Sequence, residues 1–308
     1  MGRRTVPYPS NLFDLGRKHL FVFAHQDDDL PYSGILNRLA GQAHAMWVTN
    51  GDGLAPGSGM ERFDYGEMRT NECIAAMSIL GFDRTRMHFL GHSELKIYQL
   101  LIDIARTPAD RPLTPPLKRR IREFGQQVED AVYQRMKDAD VAWTLAWQGG
   151  HIEHDLTHYF AARTARRLEE EQDRVIPVYE LPAYEIFFLV PLRFAPWSFG
   201  VSHRYQLETG QLALKKAAFG AYKSQEQITF AFKRLLRLYG ALSLLRGKPF
   251  GFEAYASQEE FGPVPADRDY TVSPHRNPVF DYILEEYKNV RVTFPNSLRR
   301  LIMTLEEV

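Results

Sequence analysis

Leu20-Phe21-Val22-Phe23-Ala24-His25-Gln26-Asp27-Asp28-Asp29 is the stretch that decides the fold. An apolar run of strand length ends here in a histidine and three consecutive carboxylates. In an open α/β sheet, the loops after the strands converge on one crevice, where ligands bind. His25 and Asp28 are three residues apart, so a tight turn could direct both to one zinc ion. Acids after a strand can equally cap the next helix, so this stretch alone leaves both interpretations open.

Short apolar segments alternate with helical patterns through the first half of the chain. After the opening strand, the sequence predicts strands at 44–49, 86–90 and 141–147, with helices at 61–80 and about 117–139 between them. Such alternation predicts an α/β fold with a Rossmann-like, doubly wound, mostly parallel sheet and helices on both faces. Long loops at 52–64 and 92–116 would shape a pocket at the edge of this sheet.

The second half of the sequence is less regular. Strands at 175–179 and 185–190 and helices at about 207–222 and 225–245 are predicted, and the tail from residue 247 shows no clear pattern. We therefore predict a single domain over residues 1–308. Its core spans about 18–200, and a helical, irregular C-terminal extension spans about 201–308.

Composition narrows the class of protein. The 308 residues include 38 Lys+Arg and 38 Asp+Glu, so the formal net charge is zero. A neutral chain predicts no long-range attraction to nucleic acid or to an anionic membrane surface. The single cysteine excludes an intramolecular disulfide framework. Because no apolar run is long enough to span a membrane and no signal peptide is evident, we expect a cytoplasmic protein.

A second group of polar side chains follows the strand at 141–147. The segment 148–158 contains His151 and His154 and leads into a helix that runs to about residue 172. By the topology of a parallel sheet, this loop lies at the same edge as the loop that carries His25. Two imidazoles and a carboxylate, from His25, Asp28 and His154, describe a catalytic zinc site with an open position for water. Iron or cobalt would accept the same ligands.

Two further side chains in these loops suit hydrolysis. A divalent cation lowers the pKa of a water molecule bound to it toward about 7. Asp27 is then a candidate general base for that water. His151 is a candidate to hydrogen-bond a developing oxyanion or to protonate a leaving amine. The two loops together predict a metal-dependent hydrolase.

These motifs resemble the PIG-L/LmbE family of zinc-dependent N-acetylglucosamine deacetylases. That family carries A-H-P-D-D-E after its first strand and H-x-x-H at the head of a later helix, and this chain has A-H-Q-D-D-D at 24–29 and H-I-E-H at 151–154. Further similar elements are T-N-G-D at 49–52, Arg69 with Glu72, Lys215 with S-Q at 224–225, and E-A-Y at 253–255. The similarity extends from about residue 20 to about residue 255.

The resemblance implies removal of an N-acetyl group from an amino sugar or glycoconjugate. It implies His25, Asp28 and His154 as zinc ligands, Asp27 as base and His151 as oxyanion or acid partner. It also implies sugar binding by Arg69, although Arg69 could equally form a surface ion pair with Glu72. The glycine-rich loop that begins in T-N-G-D makes Asp52 a second candidate for substrate binding. The oligomeric state and the carrier of the sugar are not predicted.

Two positions depart from the family pattern. Gln26 replaces the usual proline, which we expect to loosen the turn without removing a ligand. Asp29 replaces the usual glutamate and is one methylene shorter. Neither departure changes the proposed ligand set.

Two other functions remain open from the sequence. His154 and His158 are four residues apart on a predicted helix, with Asp155 between them, which is one substitution from the H-E-x-x-H motif of zinc metalloproteases. His158 is otherwise a residue of the helix surface or a neighbour of a ligand. A sugar- or metal-binding protein without turnover is the other alternative, although binding alone would not require a carboxylate at Asp27.

Overall fold

The computed structural model describes residues 3–183, 192–194, 200–245, 247, 251–274, 281–282 and 286–307, without the side chains of 227–233 and 235. The strand predicted at 185–190 lies outside these residues.

Most of the described strands form one sheet. They are β1 (Arg4–Thr5), β2 (His19–Phe23), β3 (Ala43–Thr49), β4 (Met87–His92), β5 (Val141–Leu145), β6 (Val178–Leu181), β7 (Val201–Gln206) and β8 (Gln258–Pro263). The 8-stranded sheet has the order β1-β7-β8-β6-β5-β2-β3-β4. β8 pairs antiparallel with β6 and β7, and the other pairings in this sheet are parallel. The predicted fold class, a mostly parallel doubly wound sheet, is confirmed.

Helices cover both faces of the sheet. They are α1 (Ser33–Leu39), α2 (Ala55–Ser58), α3 (Arg62–Ile79), α4 (Glu94–Arg106), α5 (Pro115–Met136), α6 (Ile152–Gln172), α7 (Gln211–Ala221), α8 (Glu226–Leu245), α9 (Phe252–Ala256) and α10 (Arg299–Glu306). One apolar core includes residues of α4, α5, α6 and α10, and the other includes residues of α1, α3 and α7. A short hairpin, β9 (Glu286–Tyr287) and β10 (Val290–Arg291), lies apart from the sheet. Within the described chain, no helix combines the length and apolar character needed to cross a membrane.

The opening strand is apolar throughout because both of its faces are covered. All residues of β2 are buried. Leu20 and Val22 enter the core under α5 and α6, whereas Phe21 and Phe23 enter the core under α1 and α3. This alternation follows from the two-residue period of a strand. A strand buried on both faces therefore appears in the sequence as a continuous apolar run.

The predicted loop at 92–116 is wrong, because this segment contains α4. Ile97, Leu101 and Ile104 are buried on one side of that helix. Their spacing of four and then three residues is the period of an amphipathic helix. The helix matters for the site, because it places Tyr98 in the interior.

The C-terminal region is more ordered than its sequence indicated, since β8 is inserted between β6 and β7. β8 carries two buried acids, so its sequence does not have the apolar pattern of a buried strand. Glu259 accepts hydrogen bonds from Lys215 Nζ at 2.8 Å and from the backbone N–H of Gly34 at 2.9 Å. The carboxylate thus accepts from backbone N–H groups at the start of α1 that have no partner inside the helix, and it pairs with a cation of α7.

Glu180 of β6 forms ion pairs with arginines from two distant segments of the chain. Its buried carboxylate lies 2.6 Å from Arg3 Nη2 and 2.6 Å from Arg268 Nη1. Burial alone would raise the pKa of Glu180, but the Arg268 and Arg3 guanidinium groups outweigh it and lower the pKa from 4.5 to about 2.

We expect Glu180→Gln to lower the free energy of unfolding by about 3–5 kcal/mol at neutral pH, because two buried arginines lose their counter-charge. The folded-state pKa is depressed, so the carboxylate stabilises the fold fully above its unfolded pKa of 4.5 and loses this effect as pH falls toward 2. In denaturant unfolding, the difference in the free energy of unfolding between wild type and variant should therefore decrease as the pH falls below 5. Glu171→Gln, which removes an exposed ion pair with Arg167, is the control and should change stability little. A difference in the free energy of unfolding that stayed constant with pH would contradict this stabilising role of the Glu180 carboxylate.

Candidate active site

The two polar loops meet at one edge of the sheet. β2 and β5 are adjacent and parallel, so the segments that follow Phe23 and Leu145 leave the sheet at the same edge. The first loop turns tightly, with the Asp28 N–H donating to the His25 carbonyl at 3.3 Å and the His25 N–H donating to Asp28 Oδ2 at 2.6 Å. The second loop leads into α6, whose first turn carries His154. The structure therefore brings together the residues proposed as ligands.

Three side-chain donors form a small buried triangle. His25 Nδ1 lies 3.2 Å from His154 Nε2, and His154 Nε2 lies 3.0 Å from Asp28 Oδ1. The third side, from His25 Nδ1 to Asp28 Oδ2, is 3.4 Å. Bonds of about 2.0–2.2 Å in tetrahedral geometry place ligand atoms roughly 3.3 Å apart around zinc. The donor set and its spacing fit one divalent ion.

Glu153 fixes the orientation of His25. Its Oε2 accepts hydrogen bonds from His25 Nε2 at 2.7 Å and from the Tyr98 hydroxyl at 2.9 Å. With the proton on Nε2, the lone pair of Nδ1 faces Asp28 and His154. Carboxylates commonly orient metal-binding histidines in this way. Glu153 was not among the predicted site residues, although its place directly before His154 is a signal that could have found it.

The surroundings of His25 favour positive charge. Burial lowers its pKa, but the carboxylates of Glu94, Asp28 and Glu153 outweigh burial and hold the pKa well above 6.5. Glu94 is itself buried, which raises its pKa to about 7. These carboxylates favour a positive charge beside them, which protonated His25 provides here. A bound divalent cation would provide that charge in place of the proton.

Asp27 lies beside the triangle in an unusual backbone conformation. Its φ of 128° is in the region that favours glycine, and such strain is concentrated at functional sites. Asp27 Oδ1 lies 3.2 Å from Arg69 Nη2, and the same guanidinium donates to the Gln26 carbonyl. Burial raises the pKa of Asp27, and Arg69 opposes that shift. Asp27 is thus held next to the ligands without being one of the three closest donors.

Arg69 is buried at the site rather than exposed on the helix surface. The alternative surface pair with Glu72 is wrong, because Glu72 instead accepts a hydrogen bond from the Ser224 N–H at 2.8 Å. The Nε and Nη1 atoms of Arg69 have no hydrogen-bond partner among the residues that the structure describes. Both atoms are buried.

His151 lies against both histidine ligands. Its ring centroid is 4.7 Å from that of His25 and 4.8 Å from that of His154. Burial, followed by the charges of these two histidines, lowers the pKa of His151 well below 6.5. A neutral imidazole carries one N–H donor and one acceptor nitrogen.

Asp52 is held by residues at the start of α4. Its buried carboxylate accepts hydrogen bonds from the Ser93 hydroxyl at 2.6 Å and from the Leu95 N–H at 3.4 Å. Both donors lie at the start of α4, where a carboxylate stabilises the helix N-terminus. Asp52 thus helps to position α4, and its role in substrate binding stays a prediction.

The two departures from the family motif are both built into the fold. Gln26 does not loosen the turn, because its buried side chain donates to the Thr49 carbonyl at 2.9 Å and ties the loop to the end of β3. Asp29 accepts a hydrogen bond from the Tyr222 hydroxyl at 2.9 Å. Burial raises the pKa of Asp29 to about 7, against the effect of that hydrogen bond.

The metalloprotease alternative does not fit the environment of His158. Both of its ring nitrogens have partners: Nδ1 lies 2.7 Å from the Leu145 carbonyl oxygen and Nε2 lies 3.0 Å from the Tyr270 hydroxyl. Asp155 accepts from the backbone N–H groups of residues 148 and 149 at 2.8 and 2.7 Å, so it is not placed as a base. His158 is fully buried, which also excludes the expected position on the helix surface.

The comparisons with known proteins concern the family of one segment and the fold. The structure combines an α/β fold with a cluster of two histidines and one aspartate at the carboxyl edge of its sheet. Residues 20–165 match the PIG-L family, described as GlcNAc-PI de-N-acetylase. The chain therefore carries a PIG-L family domain over these residues.

A solved structure extends the similarity beyond the matched segment. It is the N,N'-diacetylchitobiose deacetylase from Pyrococcus horikoshii in complex with its inhibitor MPG. The TM-score is 0.50 at 14% sequence identity, over 83% of this chain and 87% of that chain. At this identity the similarity shows the fold alone. No curated protein sequence matches the chain.

Proposed function

We propose that this protein is a metal-dependent hydrolase that removes the N-acetyl group from an N-acetylglucosamine-type amino sugar or glycoconjugate in the cytoplasm. The observation that carries the proposal is the buried triangle of His25, Asp28 and His154, with donor atoms 3.0–3.4 Å apart. These residues would hold one divalent ion, for which zinc is the best match and iron or cobalt are acceptable. The family of the matched segment supports deacetylation.

The reaction divides among the residues around the triangle. A bound divalent ion supplies a Lewis acid that acidifies water and polarises the amide carbonyl. Asp27 accepts the proton of the attacking water, and Arg69 holds the Asp27 carboxylate in position. The N–H of His151 hydrogen-bonds the developing oxyanion. The C–N bond then breaks as the proton held by Asp27 passes to the sugar nitrogen, and acetate and a free amine are released.

Arg69 also serves the substrate. Its Nη2 atom pairs with Asp27, and the remaining N–H groups of the same guanidinium are donors for polar groups of the bound sugar, such as a ring hydroxyl.

We expect the zinc-loaded protein to release acetate from at least one member of a panel of N-acetylated amino sugars and glycosides. Acetate and new primary amine should appear in equal amounts, because one amide bond gives one of each. The same panel without the N-acetyl group is the control. Binding of a sugar without release of acetate would favour the non-catalytic binding protein instead.

A further inference from the structure

An apolar stripe is exposed along α8. Leu238, Leu242 and Leu245 are 58%, 43% and 84% exposed, and Leu244 beside them is 64% exposed. The first three are spaced by four and three residues, so they lie on one face of the helix. Leu236, which points to the opposite side, is buried. Three exposed leucines on one face of the helix form a stripe rather than scattered surface residues.

The same segment is basic. Residues 227–252 contain no Asp or Glu, and they contain Lys233, Arg234, Arg237, Arg246 and Lys248. Arg234 and Arg237 are exposed and precede the leucines on the same helix. The chain as a whole is neutral, so this segment holds an excess of positive charge that is balanced elsewhere. Because salt screens charges beyond about 10 Å, a contacting surface experiences this local excess rather than the net charge.

We propose that the exposed face of α8 binds an anionic lipid bilayer, with the leucines inserted among the lipids and the arginines beside the headgroups. An amphipathic helix with leucines on one face and basic neighbours lies in the plane of a membrane interface. The charge is complementary to anionic headgroups, and each basic residue near such a surface adds to binding. This proposal concerns where the protein binds and does not depend on the deacetylase activity.

The test is flotation of the full chain with vesicles of phosphatidylcholine alone or mixed with phosphatidylglycerol. We expect binding to the mixed vesicles, weakening as salt is raised. Leu242→Glu with Leu245→Glu should reduce the bound fraction on the order of tenfold, and so should Arg234→Glu with Arg237→Glu. The substitutions are on the exposed surface, and a thermal melt confirms that each variant is folded.

Leu15→Glu and Val175→Glu are the matched controls, because these residues are 91% and 71% exposed but lie outside α8. They should bind vesicles as the wild type does. Equal loss in the controls, or no binding of the wild type to mixed vesicles, would overturn the proposal. A wild-type dimer that the leucine variants dissociate, without vesicle binding, would instead identify the face as a contact between copies. Acetate release from a soluble substrate is measured in parallel and should be unchanged, so failure of vesicle binding leaves the proposed activity untouched.

Discussion

Asp27→Asn should reduce turnover on an N-acetylated sugar on the order of a hundredfold or more while leaving bound metal unchanged, the usual scale for loss of a general base. The amide keeps the shape of the side chain and can still hydrogen-bond, but it cannot accept the proton of water. Because Asp27 pairs with Arg69 at 3.2 Å and is not part of the closest donor triangle, its loss leaves the three ligands in place. Acetate release and metal content, measured on the same preparation, report the two effects separately.

Asp28→Asn is the matched variant one residue away. Its carboxylate lies 3.0 Å from His154 Nε2, so the substitution should weaken metal binding itself. The assignment of base and ligand would be reversed if Asp27→Asn lost its metal and Asp28→Asn retained it. Loss of metal in both variants would indicate that the loop, rather than one carboxylate, holds the ion.

His25→Ala should remove the bound metal almost completely and with it all measurable acetate release. Three protein ligands hold a catalytic zinc ion, and two rarely suffice. The substitution also removes the imidazole that links Glu153 to the triangle at 2.7 Å. Metal content by atomic emission, per chain of purified protein, is the measurement.

His158→Ala is the control, because it removes a histidine of α6 whose ring contacts Leu145 and Tyr270 rather than the triangle. We expect it to lower stability by about 1–3 kcal/mol, since buried hydrogen-bonding groups lose their partner, and to keep its metal. Metal loss in His158→Ala together with metal retention in His25→Ala would revive the metalloprotease alternative.

The sequence predicted the part of the fold in which local pattern and tertiary environment agree. β2 and β5 are buried on both faces, so their apolar runs were recognisable without the structure. The site followed from topology, because adjacent parallel strands direct their loops to one edge. His25, Asp28 and His154 could therefore be proposed together although 129 residues separate the two histidines.

The remaining features depend on long-range contacts that no local pattern reveals. Glu259 of β8 is stable in the interior because Lys215 pairs with its carboxylate and the start of α1 donates a hydrogen bond to it. The hydrogen-bond partners of Asp52 lie at the start of α4, a helix that the sequence pattern did not indicate. Tyr98 was missed for the same reason. In each case the partner that determines the role of the residue lies far away in the sequence.

The most direct measurement of the central claim is acetate release from a responsive substrate before chelation, after exhaustive chelation, and after addition of one equivalent of zinc. If His25, Asp28 and His154 hold the catalytic ion, activity should disappear on chelation, return with zinc, and fail to return in His25→Ala. Activity that survived exhaustive removal of metal would contradict the account.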